Sequence, residues 1–223
     1  MFWIIFASAL ITTASILVAS LNICAQVFLK SKCKIKSNTK VALTFDDGPH
    51  PTNTPELLDT LKALNIKATF FVIGERAHKY PEIIKRIVNE GHTLGQHSYY
   101  HRKNFGALSS TKIEKELQQS IDTIEQITGV RPSYFRPPFG VTNPNIAKAV
   151  KTLGLTSIGW SLRSYDTTYT PEMVVNKLTK KAKAGDIILM HDHLESTSQS
   201  VKTIVREYRK NGLDFVNLDD SIL

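Results

Sequence analysis

Two adjacent carboxylates, Asp46 and Asp47, stand between an apolar run and a Gly-Pro pair in "VALTFDDGPH", residues 41–50. Further on, His97 and His101 lie four apart in "GQHSYYH", with Arg136 in "FRPPFG", Asp166 in "RSYDT" and His191 in "ILMH". One helical turn or a tight loop can aim two imidazoles at that spacing toward one point. With a carboxylate from a neighbouring strand end they make a two-His, one-Asp metal set that keeps a position open for water. The second carboxylate is then available as a general base, although a turn or capping role before Gly48-Pro49 is the competing reading of the pair. Magnitudes explain why base and metal belong together. An Asp of pKa about 3.9 facing bulk water at about 15.7 meets a gap of roughly 12 units, or about 16 kcal/mol. A metal that brings water to about 7 leaves roughly 3 units, about 4 kcal/mol.

Neighbouring strand residues point to opposite faces, so both carboxylates reach one site only where the strand breaks, and Gly48-Pro49 supplies the break. Seven short runs rich in β-branched and aromatic residues read as strands: "KVALTF", "KATFFVI", "HTLGQH", "SYFRPPF", "LTSIGW", "DIILMH" and "LDFVNL". Amphipathic stretches such as "PELLDTLKALN", "PEIIKRIVNEG", "TKIEKELQQSIDTIEQITG", "NPNIAKAVKTLG" and "PEMVVNKLTKKAKAG" alternate with them. Pro55, Pro81, Pro144 and Pro171 fall where a first helical turn tolerates proline, and Thr111 with Glu114 reads as a capping box. The alternation predicts an α/β fold, a distorted (β/α) barrel of about seven parallel strands. Each group named above ends a strand or lies just beyond one, the edge where such folds build active sites.

The chain has 223 residues, 42% of them hydrophobic, enough for one domain with a real core. Residues 1–29 carry no charge and are expected to form a transmembrane anchor, with a signal segment cut near Ala25 as the alternative. Residues 30–39 read as a basic linker, and residues 40–223 as the catalytic domain. Lysines 30, 32, 34, 36 and 40 supply much of the net charge of +8, leaving 23 Lys/Arg against 20 Asp/Glu over residues 41–223. The basic balance is therefore no argument for nucleic acid; a juxtamembrane cluster meets anionic lipid instead. Cys24 and Cys33 lie in the span and the linker, so the globular part is expected to have no disulfide.

"TFDDGP", "HSYYH", "RPPFG" and "ILMH", in this order over about residues 40–220, resemble the polysaccharide deacetylase family, also called carbohydrate esterase family 4 or the NodB homology domain. The resemblance implies Asp46 as catalytic base and Asp47, His97 and His101 as ligands of one divalent ion, zinc, with cobalt or another ion as alternatives. It implies that Arg136 holds Asp46 ionised, that the Phe139 N–H helps hold the oxyanion, and that Leu189 lines the acetyl pocket. His191 would be the general acid, its pKa raised by Asp166. His50, His78, His92 and His193 match no catalytic position. The fourth motif departs from the family's Asp-Ser-x-Asp-Trp: Arg163 replaces the first Asp and Thr167 the Trp, a lost wall that Trp160, Tyr165 or Tyr169 would offset. Tyr99 and Tyr100 are left open between sugar contact and packing. The implied function is N-deacetylation of an acetylated N-acetylglucosamine polymer such as peptidoglycan, by a monomer. O-deacetylation of an acetylxylan-like polymer and an inactive glycan-binding protein are the alternatives. Such substrates lie outside the cytoplasm, whereas lysines following the span favour a cytoplasmic domain; the chemistry is given precedence.

Overall fold

In a computed structural model of the protein, residue 10 and residues 14–222 are described. Seven strand-like runs become strands: β2 (Lys40–Asp46), β3 (Thr69–Val72), β4 (Thr93–Gln96), β5 (Tyr134–Phe135), β6 (Thr156–Ile158), β8 (Ile187–His191) and β9 (Asp214–Phe215). Two further two-residue strands, β1 (Ser31–Lys32) and β7 (Leu162–Arg163), complete a parallel sheet. Its order is β1-β6-β5-β4-β3-β2-β8-β7, with β9 on β2. The end strands β1 and β7 do not pair, so the distorted barrel is an open, curled sheet.

The helices are α1 (Asn53–Ala63), α2 (Gly74–Lys79), α3 (Pro81–Asn89), α4 (Ser110–Thr128), α5 (Pro144–Thr152), α6 (Pro171–Lys181), α7 (Thr197–Lys210) and α8 (Asp219–Ile222). Proline opens α3, α5 and α6 as expected. The capping box does not form: α4 starts one residue before Thr111, behind Ser109, with no side-chain cap bond. Asn143 and Thr170 do cap, accepting from the N–H groups of Ile146 and Met173.

Strand alternation sorts the interior. Val41, Leu43 and Phe45 of β2, Phe70 and Val72 of β3, and Ile188 and Met190 of β8 face the helices, packing with Leu57 and Leu61 of α1 and Val201 and Ile204 of α7. The alternate residues line the concave side. There Ala42, Phe71, Tyr134, Ile158 and Ile187 form a separate cluster, and Thr44, Asp46, Leu189 and His191 share its parity. Register then sets Asp46 beside His191 on one side and beside Phe71 on the other.

The described part of the N-terminal segment packs on the domain. Residues 1–9 and 11–13 of the expected span lie outside the described residues, and among those described no helix is long and apolar enough to cross a membrane. Helical residues 14–21 give way to a segment folded onto the domain. The carbonyls of Ala19 and Ser20 accept from Thr142, Ile23 and Leu29 are buried, and Cys24 and Cys33 form a disulfide. Within residues 30–39, β1 pairs with β6, and the Ile35 N–H donates to the Gly185 carbonyl. The physical reason is a period of two hidden under the charge. Ser31 and Ile35 face inward, while Lys32, Lys34 and Lys36 face solvent.

Gly95 of β4 sits between Phe71 and Tyr134, and a Cβ there would lie 2.6 Å from the Phe71 ring. That ring carries the Arg136 guanidinium at 4.1 Å, so the glycine sets the floor of the concave face. Gly95→Ala is expected to cost about 1–3 kcal/mol by overpacking. Thermal unfolding should show the lowered Tm, and an unchanged Tm would refute this packing role.

Candidate active site

The site is built upward from a buried arginine. Arg136 follows β5 and is wholly buried. Its Nη1 donates to Asp46 Oδ1 at 2.6 Å and to Thr44 Oγ1 at 2.8 Å. Nε donates to the Ile158 carbonyl, and Nη2 to the Gly159 carbonyl. Phe71 lies against one face of the guanidinium, and the Trp160 ring centroid is 5.6 Å away. Burial pulls the arginine below its ordinary pKa while Asp46 pulls the other way, and a guanidinium stays charged through such a shift. Asp46, itself buried, is thereby fixed in position beside a permanent cation.

Where β2 ends the backbone turns. Asp47 takes a left-handed φ of 72°, so its carboxylate swings to the side of Asp46 instead of the opposite face. The turn is packed tightly: a Cβ on Gly48 would lie 2.0 Å from Asp192 Oδ2, so only glycine fits. Asp47 Oδ1 stands 3.5 Å from His97 Nε2 and 3.4 Å from His101 Nε2. Burial alone would raise the Asp47 pKa, but His97, His101, His191 and His193 together bring it below the ordinary carboxylate value.

The two imidazoles come from a tight loop after β4, the loop alternative of the sequence reading, with Ser98 and His101 both at positive φ. The His101 N–H donates to Ser98 Oγ. His97 Nδ1 lies 2.6 Å from the Arg136 carbonyl; since a carbonyl only accepts, Nδ1 carries the proton and Nε2 keeps its lone pair for the site. Burial, and then the neighbouring His97, push the His101 pKa down to about 4, so it is neutral at physiological pH. Asp47, His97 and His101 offer one ligand atom each, all within 4.8 Å of one another. Asp47 Oδ1 is buried with no hydrogen-bond donor, an uncompensated state for an anion. Two imidazoles and an orphaned carboxylate oxygen fit a divalent metal ion.

Across the cavity, His191 ends β8. Its Nδ1 bonds Asp166 Oδ1 at 2.8 Å, and its backbone N–H donates to Asp166 Oδ2 at 2.7 Å. Ser164 Oγ donates to the same carboxylate. Burial works to lower the His191 pKa, but the Asp166 bond and charge, followed by Asp46 and Asp47, leave it raised. Asp46, Asp47, His97, His101, Phe139, Trp160, Arg163, Thr167, Leu189 and His191 line one cavity of about 190 Å³. Phe139 is held at φ 60°, with its ring 4.7 Å from that of His101. Trp160 is the wall that stands in, its indole closing over Gly140, where a Cβ would lie 2.5 Å from the ring. Tyr165 and Tyr169 stack on each other away from this cavity.

Every site residue expected from sequence is thus gathered at one edge of the sheet, and Arg163 and Thr167 stand at the same cavity. Tyr99 packs on Gly74 and Tyr100 bonds Glu116 through its N–H, so neither lines it. His50 and His92 accept from backbone N–H groups of Asn53 and Ala68, and His78 is exposed. His193 is different, for its Nδ1 lies 3.9 Å from Asp47 Oδ2. The alternation in "HDH" after β8 was the available signal. Asp192, whose Oδ2 accepts from Thr54 Oγ1, is wholly enclosed, and burial pushes its pKa up to about 7. Nothing local in the sequence marks that carboxyl as buried.

Residues 34–158 match the family profile for polysaccharide deacetylase. A peptidoglycan-N-acetylglucosamine deacetylase, PgdA, of Listeria monocytogenes is 37% identical over 188 residues, which cover 84% of this chain and 40% of the relative. The chain therefore spans well under half of that protein's length. A peptidoglycan-N-acetylglucosamine deacetylase of Bacillus cereus is 34% identical over 194 residues, covering 84% of this chain and 90% of the relative. The crystal structure of the Bc1960 peptidoglycan N-acetylglucosamine deacetylase superposes with a TM-score of 0.81 at 31% identity, covering 86% of this chain and 92% of that one. On fold, motif order and sequence, the chain belongs to the polysaccharide deacetylase family, carbohydrate esterase family 4.

Proposed function

We propose that the protein hydrolyses N-acetyl groups from an N-acetylglucosamine-containing polysaccharide, peptidoglycan above all. The observation that carries this reading is one cavity holding a carboxylate paired with Arg136, an imidazole kept basic by Asp166, and the Asp47-His97-His101 set. Asp47, His97 and His101 would hold a divalent ion, which would supply Lewis acidity toward the acetamide carbonyl and water. Asp46 takes the proton of the attacking water, whose oxygen bonds to the acetamide carbon. The backbone N–H of Phe139 donates to the developing oxyanion, a donor of a kind worth about 3–4 kcal/mol. His191, bonded to Asp166 through Nδ1, gives its other nitrogen's proton to the departing amine. The C–N bond breaks, and acetate and a free amine leave. Leu189, at the cavity wall, accommodates the acetyl methyl.

Extracytoplasmic placement belongs to the same reading. Its support is the Cys24–Cys33 disulfide, since such bonds persist in oxidising compartments; a topology reporter active only in the cytoplasm would overturn it.

Acetate release from N-acetylglucosamine oligomers and peptidoglycan, measured on the full chain after chelation and after zinc is restored, tests the proposal. Activity is expected only with metal, and silence on every acetylated glycan would sink the reading. An acetylxylan ester assayed in parallel separates amide from ester preference. Asp46→Asn should lose about 10²–10⁴ in kcat, the worth of a positioned base, while still binding metal. Elemental analysis should find one divalent ion per wild-type chain and markedly less in His101→Ala. Equal metal in the two proteins would exclude His101 as a ligand.

His191 works as an acid, so activity must fall as pH rises through its raised pKa. Asp166→Asn removes the group that raises it and leaves burial to lower it. The alkaline limb of the kcat/KM profile is therefore expected to move to lower pH, and a limb that stays in place would show that another group sets it.

A further inference from the structure

Two cations stand beside the catalytic cavity with no acid to answer them. Arg163, at the end of β7, and Trp160 line both that cavity and a more open groove of about 600 Å³ next to it. One wall of the groove is the N-terminal segment, with Asn22, Gln26 and the Cys24–Cys33 bridge, and another carries Tyr165 and Lys177. The polar groups of the N-terminal wall are already engaged: Asn22 Oδ1 accepts from the Cys24 N–H, and the Gln26 amide both donates to and accepts from Ser31. Lys34, also on the groove, has Asp186 at 3.8 Å.

Arg163 and Lys177 have no such carboxylate among the described residues. Both lie on one aromatic ring, the Arg163 guanidinium 5.0 Å and the Lys177 ammonium 4.0 Å from the Tyr165 centroid. Asp166, the acid nearest to Arg163 in sequence, is committed to His191. No Asp or Glu lines the groove. Both cations line the same groove, and an anion bound there is attracted by each of them. A guanidinium pairs with a carboxylate in a two-pronged geometry, and the ammonium adds a mobile point charge.

We propose that this groove is a subsite for a sugar bearing a carboxylate, adjacent to the residue whose acetamide enters the catalytic cavity. The preferred substrate is accordingly an anionic amino-sugar polymer, not a neutral one. The inference rests on the deacetylase reading above and narrows its substrate class. The carboxylate could belong to an ether-linked acid on an amino sugar or to a uronic acid; the guanidinium answers the same group in both.

The test compares three tetrasaccharides: neutral N-acetylglucosamine, an alternating N-acetylglucosamine/N-acetylmuramic acid chain, and an alternating N-acetylglucosamine/glucuronic acid chain. The full wild-type protein, loaded with zinc, is expected to favour one carboxylate-bearing chain over the neutral one in kcat/KM by roughly tenfold or more, the worth of one charge-assisted pair. Which chain is favoured identifies the source of the carboxylate. In Arg163→Ala the ratio should fall to about one, in Lys177→Ala it should fall part of the way, and in wild type it should shrink as salt rises. Equal rates on all three chains, or a preference that survives Arg163→Ala, would overturn the subsite. If no chain releases acetate, the deacetylation reading fails on its own, and calorimetric binding of the same chains decides the groove separately. Carboxylate-dependent binding lost in Arg163→Ala supports the subsite, and equal binding of all three chains refutes it.

Discussion

The arrangement depends on one buried ion pair, Arg136 with Asp46. A fully enclosed guanidinium is tolerable only when its donors are spoken for, and here Asp46, Thr44 and the carbonyls of Ile158 and Gly159 take them. The backbone carbonyl of the same residue fixes the proton on His97 Nδ1. One residue therefore fixes the position of the proposed base and the tautomer of a proposed metal ligand. Removing one member of such a pair strands the other without water, a cost of about 3–5 kcal/mol. Above the apolar cluster at its floor, the concave face of the sheet is thus committed to polarity.

The rest of the fold meets the geometric demands of that pair. A parallel sheet brings the C-terminal ends of its strands to one edge, and register places Asp46 of β2 next to His191 of β8. Curling turns the inner faces toward each other, so Phe71, Trp160 and Leu189 form low-dielectric walls around the charges. Gly95 and Gly140 leave room for the Phe71 and Trp160 rings at the points of closest approach.

Chemistry at neutral pH requires neighbouring ionisable groups to differ in proton affinity. Asp46 and Asp47 are adjacent, yet one faces a guanidinium and the other a set of imidazoles. His101 and His191 differ likewise: burial drives the first down to about 4, while the Asp166 carboxylate keeps the second raised. These opposed environments give two imidazoles of one cavity different proton affinities.

By itself the sequence determined the seven main strands, the helices opened by proline, and every residue expected to do chemistry. Period-two and period-3.6 patterns record burial, and Asp-Asp-Gly-Pro and His-x-x-x-His record turns and spacing, all of them local properties. Tertiary structure alone decided what depends on distant partners. Ser31 and Ile35 could be read as inward-facing only once β6 and Gly185 were there to bond with them, because the alternating lysines hid their period. The Cys24–Cys33 bond, the approach of His193 to Asp47, the enclosure of Asp192 under Gly48, and the unanswered charges of Arg163 and Lys177 are likewise products of packing. A side chain's type says what it is able to bind, and only the folded chain fixes which neighbours are left for it to bind.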